Sequence, residues 1–150
     1  MVIAIFGESC TGKSTLARAL AGKRSMTVYS GRDYLRLARS EREAAEKFAA
    51  LLRDPARDTV FVISEREQLR LLPECCVRVL VTADIGSIKE RFAARMGGKL
   101  PPPVAAMLEK KHGTFDNEPF DVHIVSGEGT EQEACAAILS CCDQKGGRQI

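Results

Sequence analysis

Gly7-Glu8-Ser9-Cys10-Thr11-Gly12-Lys13-Ser14 constrains this chain more than any other stretch. It fits G-x-x-x-x-G-K-[ST] at every fixed position, the pattern of a Walker A phosphate-binding loop. At ordinary residue frequencies such a match arises by chance in roughly one chain of this length in two hundred. Its surroundings match as well. The apolar run Val2-Ile3-Ala4-Ile5-Phe6 leads in as a buried strand should, and residues 14–21 lead out as good helix formers, with Gly22 placed for a C-cap. Gly7 and Gly12 lack Cβ and let the backbone wrap closely around an anion. The loop N–H groups then converge on phosphate oxygens, and the following helix adds its positive end. Lys13 is placed to reach β- and γ-phosphates, and the Ser14 hydroxyl to ligate Mg²⁺. The expected nucleotide-binding set is Gly7, Glu8, Ser9, Cys10, Thr11, Gly12, Lys13, Ser14 and Thr15, with ATP and Mg²⁺ as cofactors.

The remainder of the chain alternates strand and helix patterns. A second strand is expected over 26–29, followed by a helical segment over 33–52 with apolar positions recurring at three and four. Ser40-Glu41-Arg42-Glu43 fits a capping box, so a bend is expected near Ser40. Residues 59–63 are continuously apolar, as in a strand buried on both faces. Ser64-Glu65-Arg66-Glu67 fits a further capping box and predicts a helix to about Leu72, stopped by Pro73. A fourth strand over 77–81 precedes a helix capped by Asp84 and reaching about Met96. Residues 97–103, Gly-Gly-Lys-Leu-Pro-Pro-Pro, read as irregular, and 104–111 as a short helix. A last strand over 120–125 turns into a helix with Thr130 and Glu133 as a third capping box, leaving 144–150 as a frayed tail. Five such repeats call for a three-layer α/β/α P-loop fold, with a five-stranded parallel sheet in the order 2-3-1-4-5 and ligand at the carboxyl ends of the strands.

Bulk properties narrow the function classes. The chain has 150 residues, enough for one domain with a sizeable core. Its 22 basic and 20 acidic residues give a net charge of +2, which predicts neither a nucleic-acid nor a membrane footprint. No apolar run approaches the ~20 residues of a membrane span, and no signal peptide is evident, so a cytoplasmic protein is expected. None of the six cysteines forms C-x-x-C or has histidines at zinc spacing. Cys135 and Cys142 share a helix face with Ile138 and read as small buried hydrophobes. Cys10 is different, because loop amides and Lys13 would stabilise its thiolate, and a redox-sensitive thiol is one reading of it.

Element order and three motifs together resemble the small nucleoside monophosphate kinase superfamily, which includes adenylate, cytidylate and shikimate kinases. The motifs are the Walker A loop, Asp33-Tyr34-Leu35-Arg36 after the second strand, and Arg91-Phe92-Ala93-Ala94-Arg95. The Asp33–Arg36 motif resembles the D-x-L-R of adenylate kinases, where the Arg holds the acceptor's phosphate. The Arg91–Arg95 motif resembles the R-x-x-x-R that opens the lid, one Arg stacking on adenine and the other contacting the transferring phosphate. The resemblance implies an acceptor-binding segment over about 32–54, a lid over about 91–112, and phosphoryl transfer from ATP to a small acceptor. Lys13, Arg91 and Arg95 would be catalytic, Asp33, Arg36 and Arg66 would bind the acceptor, and Ser14 with Glu65 would hold Mg²⁺.

Each of these has a plainer reading beside it. Arg91 and Arg95 also suit a solvated helix face, Asp33 a helix N-cap, Arg36 a surface position, and Glu65 a first-turn acid favoured by the helix dipole. Arg39, Arg42, Lys110 and Lys111 read as solvated, and His112 and His123 have no partner in sequence. The chain also departs from the family. Ile63 is followed by Ser64 rather than a Walker B acid, and neither D-G-x-P-R nor the shikimate-kinase Gly triplet is present. Arg66 is the nearby substitute. No base-recognition signature, N-K-x-D or lid cysteine is found. The acceptor is expected to be a nucleoside monophosphate or a similar metabolite. The alternative is a nucleotide-binding switch with slow ATPase activity. Neither nucleic acid nor membrane is expected as a partner, and the expected assembly is a monomer or homodimer.

Overall fold

A computed structural model describes residues 1–147, with side chains to residue 145. Five parallel strands form one sheet: β1 Val2–Phe6, β2 Thr27–Ser30, β3 Thr59–Ile63, β4 Val77–Thr82 and β5 Val122–Val125. Their spatial order is β2-β3-β1-β4-β5, the expected one. The central strand β1 is in register with β3 from Val2 opposite Thr59 to Phe6 opposite Ile63, and with β4 from Ile3 opposite Val77. All five residues of both β1 and β3 are buried, as strands covered on both faces require.

Side-chain alternation divides the core into two layers. Ile3, Ile5, Val60, Val62, Val77 and Val79 face α1 (Lys13–Arg24) and α5 (Glu131–Gly147), meeting Leu16, Leu20, Cys135, Ile138 and Cys142. Ala4, Phe6, Phe61, Ile63 and Leu80 face α2 (Glu41–Leu52) and a 3-10 helix at Arg66–Leu71. On this side Phe48 is the hub. Its ring stacks on Tyr34 at 5.2 Å and meets Phe61 edge-on at 4.7 Å. A smaller cluster joins Cys10 to Ile88 of α3 (Ile85–Arg95) and Leu108 of α4 (Pro102–Lys111).

Three caps act as the sequence predicts. Ser40 accepts from the Glu43 N–H at 3.2 Å, Asp84 from Ser87 at 2.9 Å and Thr130 from Glu133 at 3.1 Å. Hydrogen bonds from Ser87 hold the Asp84 carboxyl below its ordinary range. Elsewhere the elements differ. The 33–52 segment breaks into a 3-10 helix at Asp33–Leu37 and α2, because Ala38 is fully extended. Ser64 caps nothing. Residues 66–71 form a 3-10 helix in place of the expected α-helix, and its flanking Glu65 makes no side-chain cap. Helix α1 runs past Gly22, and Ser25 takes the left-handed C-cap instead, at φ 54°. Pro102 and Pro103, within the stretch that reads as irregular, open α4 instead, since the first helical turn needs no N–H from them. Strand β5 starts at Val122, leaving Phe120 exposed. Helix α5 continues through Gly147, so the expected tail is helical over 144–147, while 148–150 lie outside the described residues.

Truncating Phe48 removes the contact shared by β2, β3, α2 and the first 3-10 helix. Phe48→Ala is expected to cost about 3–5 kcal/mol, read as a lowered urea midpoint. A shift under about 1 kcal/mol would contradict the hub role.

Candidate functional site

The phosphate loop leaves β1 at a point where no side chain fits. A Cβ on Gly7 would stand 2.2 Å from the Val81 carbonyl oxygen, so only glycine lets the loop turn over the end of β4. The loop then inverts twice, with Cys10 at φ 63° and Gly12 at φ 94°. Gly12 meets no steric penalty there, whereas Cys10 is held in place by burial beside Ile88 and Leu108. Thr11 donates to the Glu8 carbonyl at 2.9 Å and closes the turn. Among the described residues, no acceptor takes the N–H groups of Ser9, Cys10, Thr11 or Gly12. Consecutive unpartnered N–H groups at the head of a helix form an anion cradle.

Cations surround the cradle. Lys13 is buried and donates to the Glu8 carbonyl. Arg91 crosses from α3 and donates to the Cys10 carbonyl at 2.9 Å. Burial lowers Lys13 from an ordinary 10.5 to about 8; Arg95 pushes the same way, against the acidic groups of Cys10 and Glu8. Arg91 and Arg95, one helical turn apart, both border one cleft of about 530 Å³, closed opposite by Ser126, Gly127 and Glu128 after β5. The Cys10 thiol is only 5 % exposed and packs inward, so the structure does not present it as an accessible redox group.

On the other side of the loop lies a cleft of about 750 Å³. Its polar wall is Glu8, Ser9, Ser64, Glu65, Arg66, Lys111 and Thr114, and its apolar wall includes Phe92, Met107 and Phe115. Arg66 is tied to Glu118 at 3.0 Å, so its guanidinium braces the floor. Glu65 also lines a third cleft of about 670 Å³ between α2 and the second 3-10 helix. Gln68 borders it as well. Its amide donates to the Gly31 carbonyl at 2.9 Å, and its buried Oε1 has no partner among the described residues. Asp33 and Arg36 line none of these clefts. The Asp33 carboxylate accepts from the Ser30 N–H at 2.9 Å, and Arg36 is exposed. The structure thus gathers Lys13, Arg91, Arg95 and the loop, sets Glu65 and Arg66 across from them, and leaves Asp33 and Arg36 apart.

Three features of the site escape the sequence reading. Lys111 lines the larger cleft and makes no ion pair among the described residues. His112 pairs with Glu8, and residues 126–128 close the smaller cleft. Only the Ser-Gly-Glu-Gly turn carried a local signal. The other two depend on a contact between residues 104 apart.

The arrangement fits ATP and Mg²⁺. The cradle supplies donors for phosphate oxygens. The exposed Ser14 hydroxyl at the head of α1 and the exposed Glu65 carboxylate offer two oxygen ligands. Among the described residues no cluster of three metal-ligating side chains forms.

A parallel sheet in the order 2-3-1-4-5, with this loop between the central strand and its helix, decides the fold. The fold is that of the small P-loop kinases. The YorR protein from Bacillus subtilis, solved in complex with phosphorylated GDP, superposes with a TM-score of 0.68 at 18% identity, covering 98% of both chains. A gluconokinase from Sinorhizobium meliloti gives 0.66 at 14% identity over 99% of this chain and 94% of the other. Shikimate kinase from Aquifex aeolicus gives 0.57 at 15% identity over 97% and 98%. No protein-family model matches the chain, and no curated protein does. No helix among the described residues is long and apolar enough to cross a membrane.

The lowered Lys13 value has two consequences of known sign. In the nucleotide-free protein the burial cost is fully present below pH 8. It is relieved between pH 8 and 10.5, where the folded form has shed the proton and the unfolded form keeps it, so this contribution to stability rises with pH. A bound phosphate favours the charged form. Nucleotide affinity is therefore expected to fall by about tenfold per pH unit above pH 8, and Lys13→Met to flatten the profile. Titration of ADP from pH 7 to 10 checks this, and an affinity independent of pH in the unaltered protein would contradict it.

Proposed function

We propose that this chain is an ATP-dependent kinase acting on a small phosphorylatable metabolite, a nucleoside monophosphate or a compound of similar size. The observation that carries the reading is the pair of clefts flanking one anion cradle. A transferase needs a donor pocket and an acceptor pocket meeting at the γ-phosphate, and a nucleotide switch needs only the first. The smaller cleft, with Arg91 and Arg95 on one wall and residues 126–128 on the other, suits the base and ribose of ATP. The larger cleft, bordered by Ser9 of the cradle, suits the acceptor.

Phosphoryl transfer is mostly positioning and charge stabilisation. Lys13 leaves the Glu8 carbonyl for the β- and γ-phosphate oxygens, which stabilise its charged form. Arg95, already felt by Lys13, and Arg91 add positive charge from α3. Ser14, with Glu65 across the cleft, would hold Mg²⁺, which would supply positive charge for the phosphate oxygens. Arg66 stiffens the acceptor floor through Glu118, and Lys111 adds a cation on the acceptor side. Asp33 and Arg36 serve in this scheme only if the 33–37 segment swings toward the cleft when acceptor binds. The neighbouring gluconokinase and shikimate kinase carry names that point to hydroxyl acceptors, and the YorR complex contains a guanine nucleotide. Both classes therefore belong in the acceptor screen. The switch with slow ATPase activity draws support only from the missing Walker B aspartate.

Incubation with γ-labelled ATP and a panel of nucleoside monophosphates, sugar acids and polyols is expected to label at least one acceptor. Lys13→Ala is expected to cut that turnover by at least ~10²-fold, as loss of one preorganised transition-state donor does. Tight nucleotide binding with release of inorganic phosphate alone would favour the switch instead.

A further inference from the structure

Glu8 is an acid inside an anion-binding loop, where its charge would oppose phosphate. The fold turns it away. Its side chain is 12% exposed, and both oxygens are occupied. His112 Nδ1 lies 3.0 Å from Oε1, and the Gly113 N–H donates to Oε2 at 3.2 Å. Both partners belong to the junction that follows α4, where Gly113 takes φ 83°. The residues on either side of that junction, Lys111 and Thr114, border the same cleft as Glu8 and Ser9. The 96–101 loop that leads into α4 has left-handed glycines at 97 and 98 and no hydrogen bond to the phosphate loop among the described residues.

The geometry points to Glu8 as a positioning residue that anchors the α4 junction to the phosphate loop and so holds the Lys111 ammonium beside the transferring phosphoryl group. A charged acceptor with two donors fixes both distance and direction. A lysine on a four-carbon stem gains most from such an anchor, because its own ordering is costly. The Glu8 carbonyl holds Lys13 while its carboxylate holds the Lys111 junction. One residue thereby registers the two lysines against each other.

This inference rests on the kinase reading, but its test needs no acceptor. The probe is a fluorescent ADP with Mg²⁺, titrated with and without aluminium fluoride, which mimics the transferring phosphoryl group; analogues of a transition state bind more tightly than ground states. In the unaltered protein, fluoride is expected to tighten ADP binding. Glu8→Ala and Lys111→Ala are each expected to reduce that gain by about tenfold, the scale of one charge-assisted hydrogen bond. The loss in the fluoride-dependent gain should exceed any loss in the ADP affinity itself. The double variant should lose no more than the worse single variant. Glu8→Gln keeps one acceptor oxygen for the Gly113 N–H and should restore part of the gain. Multiplicative losses in the double variant would overturn the proposal. So would an equal loss of plain ADP affinity in Glu8→Ala, or the absence of any fluoride effect in the unaltered protein. A missing acceptor in the turnover screen, with these results intact, would count against the kinase reading alone.

Discussion

Four adjacent backbone N–H groups, from Ser9, Cys10, Thr11 and Gly12, stand with no acceptor among the described residues. Leaving such groups unsatisfied is costly, and much of the surrounding fold serves to hold them so. The buried central strand β1 delivers the chain to the carboxyl end of the sheet. Gly7 passes over the Val81 carbonyl with no room for a Cβ. Cys10 is pinned in a left-handed conformation by α3 and α4, and Arg91 locks its carbonyl. An anion is the partner that would settle all four groups together, and the lowered proton affinity of Lys13 records the same unmet demand.

The cradle also divides the surface. On one side α3 and the turn after β5 make a small cleft; on the other the end of β3, the second 3-10 helix and the end of α4 make a larger one. Glu8 touches both problems. Its carbonyl receives Lys13 from the loop side, and its carboxylate receives the α4 junction from the acceptor side. A loop position that the Walker pattern leaves free thus links the two halves.

The parallel sheet was legible because β1 and β3 are buried on both faces and the phosphate loop must leave from a central strand. Residues 59–63 and 77–81 read as unbroken strand patterns, and each of the caps Ser40, Asp84 and Thr130 is a local contact within three residues. The misreadings have local causes too. Ser64 fits a capping box, yet the segment before Pro73 makes no side-chain cap and forms a 3-10 helix. Pro102 and Pro103 fell in a stretch that read as irregular, although proline is at home in a first helical turn. The site was legible where the motif is contiguous, as in residues 7–15, and where helical spacing alone sets the geometry, as in Arg91 and Arg95. Lys111 and His112 were not, because a basic helix end resembles solvated surface until a carboxylate over a hundred residues away is brought beside it. Asp33 and Arg36 matched a motif in spacing, but the 3-10 helix that carries them turns Asp33 back onto Ser30.

If the small cleft takes the nucleotide and the large one the acceptor, amide chemical-shift mapping tests that division most directly. Mg²⁺ and ADP are expected to shift residues 10–15 and 126–128. Lys111 and Thr114 should respond only when a non-hydrolysable ATP analogue supplies the γ-phosphate. If ADP instead perturbs residues 64–69 and Lys111 while 126–128 stay still, the nucleotide lies on the other side of the loop, and the division fails.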